Sequence, residues 1–283
     1  MKEDYPIAVT DQAAKKITVI GAEGVIWSWS PGEQDESNAA GWWLPSDVKL
    51  RENANDGGQW IVVADSCGYA GVVSFPGKRI QWSRRVGGNP HAVELLPDGN
   101  IAVAASDGGW VRVYTASQGA YSETYGEFRL PGAHGVLWDP ERAVLWSVGD
   151  ERLIALQVEG PTDSPTLKPV HERELPSLWG HDLAPVYGDT DRLWVTTNSG
   201  VYQYLKSSDS WSDGYRGAER TNRPFVKSVG NQPSGAIVQT VPKPGMLHAW
   251  GTDTVDLLFS PDRQWTLPGA SIYKARVWRP EYQ

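Results

Sequence analysis

A repeated segment constrains the fold of this 283-residue chain more than any other feature. Its clearest copy occupies residues 89–103, where a proline and a histidine lead into an apolar run, a turn and a second apolar run. Residues 132–146 follow the same plan, and four further copies carry a histidine or a lysine in the histidine position. The six aligned residues are Lys49, His91, His134, His181, Lys227 and Lys274, at intervals of 42, 43, 47, 46 and 47 residues. Because one four-stranded propeller blade has a length in the forties, six copies predict a six-bladed β-propeller.

The local patterns also predict an all-β fold. In the clearest copy, residues 93–96 form the predicted innermost strand, followed outward by residues 101–104, 110–114 and 121–130. These runs are rich in β-branched and aromatic residues and are separated by turn residues such as Asp-Gly. No long segment has apolar residues at helical spacing.

The last copy ends after its innermost strand, residues 273–278. Three strands near the start of the chain, at residues 7–10, 17–20 and 25–29, supply the missing outer strands. We expect this pairing of the two chain regions in one blade to close the ring, because closure leaves no long unpaired edge. A single domain over residues 1–283 is therefore predicted.

The six aligned residues are expected to converge on the propeller axis at one level of one mouth. Three consecutive blades supply histidines, and the other three supply lysines. Arg51 and Arg276 lie two positions after aligned lysines, on the same strand face, and would deepen the cationic side. Polar residues can also line a propeller channel merely to hydrate it. Clustering like charges costs stability without a structural return, which favours a functional ring.

The residue types in this ring suggest three kinds of chemistry. His91, His134 and His181 are candidate catalytic acid–base groups, because histidine titrates near neutral pH. The same three residues are an alternative site for one divalent metal ion, such as Mn, Zn, Ca or Fe. The predicted substrate-binding residues, which would hold an anionic ligand, are Lys49, Arg51, Lys227, Lys274 and Arg276.

Other candidates carry weaker signals. Asp182 is expected to point away from the axis, as an orienting or a packing group, and strand parity places Glu94 off the axis too. Asp47 is predicted to line the funnel or to pair with Lys49. Cys67 is the single cysteine, which excludes an internal disulfide, and is predicted to be a small buried residue. No phosphate-binding Gly-rich loop, CxxC, HExxH or GxSxG motif occurs.

Composition limits the partners and the location. The net charge of −8 argues against a general nucleic-acid binder, and no apolar run is long enough to span a membrane. The first ten residues contain no apolar signal-peptide core, so the expected location is cytoplasmic, or extracellular after removal of a leader. Fifteen tryptophans suit either the packing between sheets or stacking against sugar rings.

The repeat resembles a bacterial family of propeller proteins of unknown function. The resemblance rests on Asn-Pro-His-Ala-Val-Glu-Leu-Leu-Pro-Asp-Gly-Asn at residues 89–100, Gly-His-Asp-Leu at 180–183, Val-Lys-Ser-Val at 226–229 and Tyr-Lys-Ala-Arg at 273–276. It supports the fold and the ring and implies no activity. Two looser similarities are to oligogalacturonate lyases, which gather histidines around a metal at a propeller axis, and to aryl sulfotransferases.

These features lead to one hypothesis and two alternatives. The hypothesis is a monomeric carbohydrate-active protein that holds an acidic sugar in the funnel and cleaves it by β-elimination. The first alternative is a non-catalytic module in which the same ring binds an anionic glycan or another small anion. The second is a protein-interaction platform in which the ring has no role.

Overall fold

The computed structural model describes residues 3–52, 57–259 and 262–283, so residues 1–2, 53–56 and 260–261 of the predicted domain lie outside the described residues. The regular secondary structure of the described residues is mainly β, with one short α-helix, α1, at Ala218–Thr221 and a few 3₁₀ turns. Its strands in chain order are β1 Ile7–Asp11, β2 Lys16–Gly21, β3 Gly24–Trp29, β4 Pro45–Glu52, β5 Gln59–Asp65, β6 Tyr69–Phe75, β7 Ile80–Arg85, β8 Pro90–Leu95, β9 Ile101–Ala105, β10 Trp110–Tyr114, β11 Tyr125–Arg129, β12 Gly135–Asp139, β13 Val144–Val148, β14 Arg152–Glu159, β15 Thr166–Glu174, β16 Gly180–Pro185, β17 Arg192–Thr197, β18 Val201–Leu205, β19 Ser210–Ser212, β20 Ser228–Asn231, β21 Ile237–Thr240, β22 Thr254–Leu258, β23 Arg263–Thr266 and β24 Ile272–Val277. None of the described helices is long and apolar enough to cross a membrane.

The strands form six antiparallel four-stranded sheets, which are the six blades of a β-propeller. Five blades use four strands that are consecutive in the chain, from β4–β7 to β20–β23. The remaining blade has the order β24-β1-β2-β3, with Ile7 opposite Val277 and Val9 opposite Ala275. The predicted all-β fold, the six blades and the closure of the ring are confirmed.

Apolar clusters between neighbouring blades form the core, and tryptophans fill much of the space there. Trp82 lies between two blades, almost fully buried, and its indole nitrogen donates a hydrogen bond to the Ser122 carbonyl at 2.9 Å. Trp194 is equally buried between two later blades. For these residues, packing between sheets accounts for the choice of tryptophan, because a large flat ring fills the gap between sheets that splay apart.

Irregular pairing at the start of several innermost strands determines which side chains reach the axis. The ladder shifts register between Pro45 and Asp47 in β4, between Pro90 and Ala92 in β8, and between Gly180 and Asp182 in β16. β24 is also irregular where it pairs with residues 9–11 of β1. A β-bulge breaks the alternation of side chains, so two successive residues can both face the axis.

The connection from Ser30 to Gly41 lies at the surface, and most of its described side chains are exposed or half-exposed. It contains two short 3₁₀ helices, Gly32–Asp35 and Ala39–Gly41. Asp35 is buried and accepts a hydrogen bond from the Tyr69 hydroxyl at 2.8 Å. One buried carboxylate thus anchors this polar segment to the body of the propeller.

Candidate ligand-binding site

A cavity of about 700 Å³ opens at one mouth of the funnel. Five side chains from the innermost strands or the residues just before them form its inner wall: His91, His134, His181, Lys227 and Tyr273. The outer wall is formed by Gln12, Leu44, Ser66, Cys67, Gly88, Asn89, Asp107 and Trp250.

Each blade contributes one residue at the equivalent position near the start of its innermost strand. This set of six shares four residues with the set that was aligned from the sequence and differs in the other two. Equivalent positions are identified by a bond between blades: the amides of Val93, Val229 and Ala275 each donate to a side chain of the preceding blade. The residue two positions before this amide reaches the mouth. We call the residues at this position the mouth ring: Ser46, His91, His134, His181, Lys227 and Tyr273. Ser46 is fully buried, with its hydroxyl donating to the Pro90 carbonyl, whereas the other five line the cavity.

Two of the predicted ring members therefore lie at other levels. Lys49 comes three residues after Ser46, and Lys274 comes one residue after Tyr273. Sequence alignment matched the basic residues to one another and overlooked Tyr273. Two positions after each mouth-ring residue, every inner strand has an apolar residue, such as Val93 or Ala275. Aligning the copies on this apolar residue would have found Tyr273.

The mouth ring is joined by close contacts. The imidazoles of His91 and His134 stack, with ring centroids 4.4 Å apart and planes at 19°, and the His134 and His181 centroids are 4.9 Å apart. The Tyr273 hydroxyl lies 3.0 Å from His91 Nδ1 and 3.1 Å from His181 Nε2. Lys227 Nζ lies 3.0 Å from the same His181 Nε2. The three predicted histidines and Lys227 are thus brought together around Tyr273.

The hydrogen-bond partners assign protons to two of the imidazoles. The Gly132 carbonyl, 2.7 Å from His134 Nδ1, can only accept, so His134 carries its proton on Nδ1 and presents Nε2 as a free acceptor. The Lys227 ammonium can only donate, so His181 accepts on Nε2 and carries its proton on Nδ1. His181 Nδ1 is buried and has no hydrogen-bond partner among the described residues.

Burial and neighbouring cations keep these imidazoles neutral. Burial, with the charges of Lys274 and Lys227, lowers the pKa of His134 to about 4, despite the opposing bond to Gly132. The pKa values of His91 and His181 are lowered well below 6.5, chiefly by burial. A neutral imidazole can act as a base or as a hydrogen-bond donor, but it adds no charge to the site.

Lys227 and Tyr273 are shifted for related reasons. Burial and the nearby Lys274 charge lower the pKa of Lys227 to about 8. Burial, together with the carboxylates of Asp182 and Asp47, raises the pKa of Tyr273 well above 10. At neutral pH the site therefore presents an ammonium that can lose its proton and a phenol that keeps its proton.

Beneath the mouth ring lies a buried ion network, which we call the floor network; its members are Asp47, Lys49, Asp182, Lys274 and Arg276. Arg276 lies between the two carboxylates, 2.8 Å from Asp47 and 2.7 Å from both oxygens of Asp182. Lys49 bonds Asp47 at 3.0 Å, and Lys274 lies 3.1 Å from Asp182. Burial alone would raise the pKa of Asp47, but these cations outweigh it and hold that pKa well below its usual range. With all five groups ionised, the floor network carries one net positive charge, although burial lowers the pKa of Lys274.

The floor network corrects several expectations. Lys49, Lys274 and Arg276 are not free to meet a ligand in the mouth cavity, because their charged groups are occupied by internal partners. Asp182 faces the axis rather than away from it, because the bulge at Gly180–Asp182 breaks strand parity. Asp47 pairs with Lys49, which was one of its two predicted roles.

Arg51 is also withdrawn from the cavity. Its guanidinium makes two bonds, of 2.7 and 2.8 Å, to Glu94, and the Tyr282 ring packs over it with 4.8 Å between the guanidinium carbon and the ring centroid. Glu94, expected off the axis, is thus the buried partner of an axial arginine. Of the five predicted substrate-binding cations, Lys227 alone lines the mouth cavity.

The three histidines as arranged do not fit a divalent metal ion. The lone pairs of two stacked imidazoles lie in nearly parallel planes and do not converge on one point. His134 Nδ1 is used by Gly132, and the Lys227 ammonium lies where a metal would approach His181 Nε2. Within the described residues, no group of three histidine, cysteine, aspartate or glutamate side chains has an arrangement able to hold a metal.

The rim of the funnel contains a turn that recurs in four blades. Two positions before the mouth ring, Asn89, Gly132, Trp179 and Phe225 have left-handed backbone conformations, with φ between 60° and 64°. Glycine and asparagine adopt this conformation readily, whereas other residues incur a cost of about 1–2 kcal/mol. Trp179 and Phe225 are nevertheless 58% and 55% exposed. Packing within the propeller therefore does not explain these two aromatic residues.

Two further residues line the cavity at the rim, Cys67 and Trp250. Cys67, predicted to be buried, is exposed and lines the cavity. Its pKa is raised by partial burial and by the charge of Asp65. Trp250 is half-exposed, is held by a bond of 2.9 Å from its indole nitrogen to Gln12, and stacks against His248.

Comparison with known proteins agrees with the fold. The profile of a family of unknown function (DUF6528) matches residues 2–279. A protein of unknown function from Bacteroides caccae superposes with a TM-score of 0.62 at 12% identity, covering 96% of this chain and 98% of the other. A functionally unknown protein from Desulfotomaculum acetoxidans superposes with a TM-score of 0.56 at 10% identity, covering 98% and 100%. No curated protein has a sequence that matches this chain.

Proposed function

The chain belongs to this family of unknown function, DUF6528, and we propose that its funnel mouth binds a small anionic ligand of the acidic-sugar class. The observation that carries the proposal is the uncompensated positive charge at the mouth. Lys227 is partly buried beside neutral imidazoles, and the charge that most affects its pKa is another cation, Lys274. Among the described residues no carboxylate pairs with this cation, so its partial dehydration is costly, and a ligand carboxylate would offset that cost.

The floor network strengthens the attraction for an anion. Its net positive charge lies directly beneath the histidines, where Lys274 Nζ is bonded to the His91 carbonyl at 3.0 Å. A narrow, partly dehydrated funnel weakens screening and concentrates this potential at the mouth. The overall negative charge of the chain does not cancel it, because the floor carboxylates are already paired.

The remaining groups of the cavity suit a sugar. The wall offers amide and hydroxyl groups from Gln12, Asn89, Ser66 and Tyr273, which can bond ring hydroxyls. Trp250 adds a half-exposed indole held in place by Gln12. Pockets for small ligands commonly combine such a flat apolar surface with a few fixed polar groups.

We further propose that the same groups abstract a proton next to the sugar carboxylate. In the proposed β-elimination, Lys227 neutralises the sugar carboxylate and so acidifies the adjacent C–H bond. His134 Nε2 takes that proton, a carbon–carbon double bond forms, and the carbon–oxygen bond to the leaving group breaks. Tyr273 donates its proton to the departing oxygen, which its raised pKa allows. His91 and His181 hold Tyr273 in place from two sides.

Binding is tested with galacturonate oligosaccharides and the Lys227→Met variant. We expect calorimetric affinity to fall about 10- to 100-fold, the usual effect of losing one charge-assisted hydrogen bond. Lys168→Met removes a largely exposed lysine of β15 and should leave the affinity unchanged. Equal affinities in wild type and Lys227→Met, or no binding at all, would refute the proposal.

Catalysis is tested separately with His134→Gln. If the funnel is a lyase, this variant should still bind the oligosaccharide but lose formation of the unsaturated product, followed by its ultraviolet absorbance. If the wild-type protein binds without forming product, the chain is a binding module and the elimination step is wrong.

A further inference from the structure

We propose that the acidic sugar is an oligosaccharide whose next unit stacks on an aromatic platform at the funnel rim, formed by Trp179 and Phe225. This inference rests on the proposed function and specifies the substrate class further. It assigns a role to two residues that neither the mouth ring nor the core explains.

The repeat places the platform at the edge of the site. Trp179 and Phe225 lie two positions before His181 and Lys227, as Asn89 lies two positions before His91. All three have the same left-handed backbone conformation, and Asn89 lines the mouth cavity. The two aromatic residues therefore occupy the equivalent rim position on the two blades that carry His181 and Lys227.

One turn links the two aromatic residues. The amide of Asn198 donates to the Trp179 carbonyl at 3.2 Å, and the Asn198 carbonyl accepts from the Phe225 amide at 3.0 Å. Trp179 and Phe225 thus flank a single residue and belong to neighbouring blades. Their backbones are joined through this one residue, which brings two exposed aromatic side chains to adjoining blades of the same rim.

The backbone conformation argues that the side chains were retained for binding. A bulky residue at positive φ is disfavoured, and such strain is found mainly at functional sites. Neither side chain recovers the cost through burial, since more than half of each is exposed. The equivalent blades show that asparagine or glycine serves the turn itself.

A glycan chain fits this surface because of its continuity with the cationic mouth. The charged unit would meet Lys227 in the cavity, and the next unit would leave the cavity over the adjoining rim. Sugar rings present an apolar face of C–H groups that complements the negative face of an aromatic ring. A chain that is anionic at one unit and flat at the next therefore matches both parts of the site.

The test compares galacturonate with trigalacturonate in the Trp179→Asn/Phe225→Asn double variant. Asparagine already occupies this turn position as Asn89, just before the blade β8–β11. The double variant should therefore preserve the turn, and thermal melting should confirm a folded protein. Affinity for the trisaccharide should fall at least 10-fold, whereas affinity for the monosaccharide should stay unchanged. Tyr121→Asn, which removes a 91% exposed tyrosine away from the mouth cavity, is the matched control.

Protection of Cys67 from alkylation supplies a second readout. This single thiol lines the mouth cavity, so either ligand should slow its labelling in wild type and in the double variant. If the double variant binds the trisaccharide as tightly as wild type does, the platform is wrong and the mouth site stands. If neither ligand binds or protects the wild-type protein, the proposed function fails together with the platform. If the double variant loses binding to a protein partner but not to the trisaccharide, the platform is a protein-docking surface and the inference is overturned.

Discussion

The mouth ring and the floor network differ in how they hold positive charge on the same axis. In the floor network, Arg276 alone makes three bonds of 2.7–2.8 Å to two carboxylates. At the mouth, Lys227 is bonded to a neutral imidazole. The floor is thus internally neutralised apart from one charge, and its role is to hold inner strands together. At the mouth, no carboxylate among the described residues pairs with the Lys227 ammonium.

Burial acts on both regions, with opposite results. In the floor, nearby charges of opposite sign overcome the burial cost, so the carboxylates and the arginine stay ionised. At the mouth, burial is reinforced by like charges, so the histidines are neutral and the pKa of Lys227 falls to about 8. The sign of the neighbours, rather than the depth of burial, separates the two regions.

The largest expected effect tests the floor. Asp182→Asn removes the carboxylate that binds Arg276 and Lys274, and leaves buried cations without their partner. We expect a loss of about 3–5 kcal/mol in the free energy of unfolding, measured with denaturant. Glu172→Gln, which breaks a half-exposed pair with Arg152, should cost less than about 1 kcal/mol. Equal effects of the two substitutions would contradict the distinction between floor and surface.

The next effect tests the neutral histidines through the pH dependence of stability. His134 has a folded-state pKa of about 4, below the value of 6.5 in an unfolded chain, so the unfolded state binds the proton first as pH falls. Stability should therefore fall between pH 6.5 and 4, by about 3 kcal/mol for this residue. His134→Gln should show a flatter profile by that amount, measured by denaturant unfolding at several pH values. Parallel profiles would show that the pKa of His134 is the same in the folded and the unfolded protein.

A smaller effect tests the hydroxyl that joins two histidines. Tyr273→Phe removes the group that lies 3.0 Å from His91 and 3.1 Å from His181. We expect a loss of about 1 kcal/mol in unfolding free energy, typical of one buried hydrogen bond. A loss as large as that of Asp182→Asn would place Tyr273 functionally in the floor rather than in the mouth ring.

The smallest expected effect on stability is that of Lys227→Met, and it distinguishes the mouth ring most directly from the floor network. Lys227→Met replaces a partly buried cation, which has no carboxylate partner among the described residues, with an apolar side chain of similar length. We expect stability to change by less than about 1 kcal/mol, or to rise, since no carboxylate loses a partner. Denaturant unfolding beside the binding measurement checks this. A large loss of stability would mean that Lys227 has a structural partner and is not available to a ligand.

The sequence was sufficient to predict the fold, because a blade-length repeat and the incomplete last copy are visible without a structure. It also identified three histidines and Lys227 of the mouth ring. It misplaced Lys49 and Lys274 because the alignment matched basic residues to one another, whereas the equivalent positions are occupied by Ser46 and Tyr273. The pairing of Arg276 with Asp47 and Asp182 joins three blades, and no local pattern predicts such a contact.

Closure of the ring by β24 has a consequence for how the protein is made. On the ribosome, β24 emerges after the other five blades, and it carries Tyr273, Lys274 and Arg276. Until it inserts beside β1, Asp47 and Asp182 have no arginine between them and β1 lacks its inner neighbour. A chain that has not yet completed this step lacks the counter-charge of Arg276 between the two carboxylates, and it has an open strand edge at β1 with which another chain can pair. Closure of the ring and assembly of the floor network are therefore a single event.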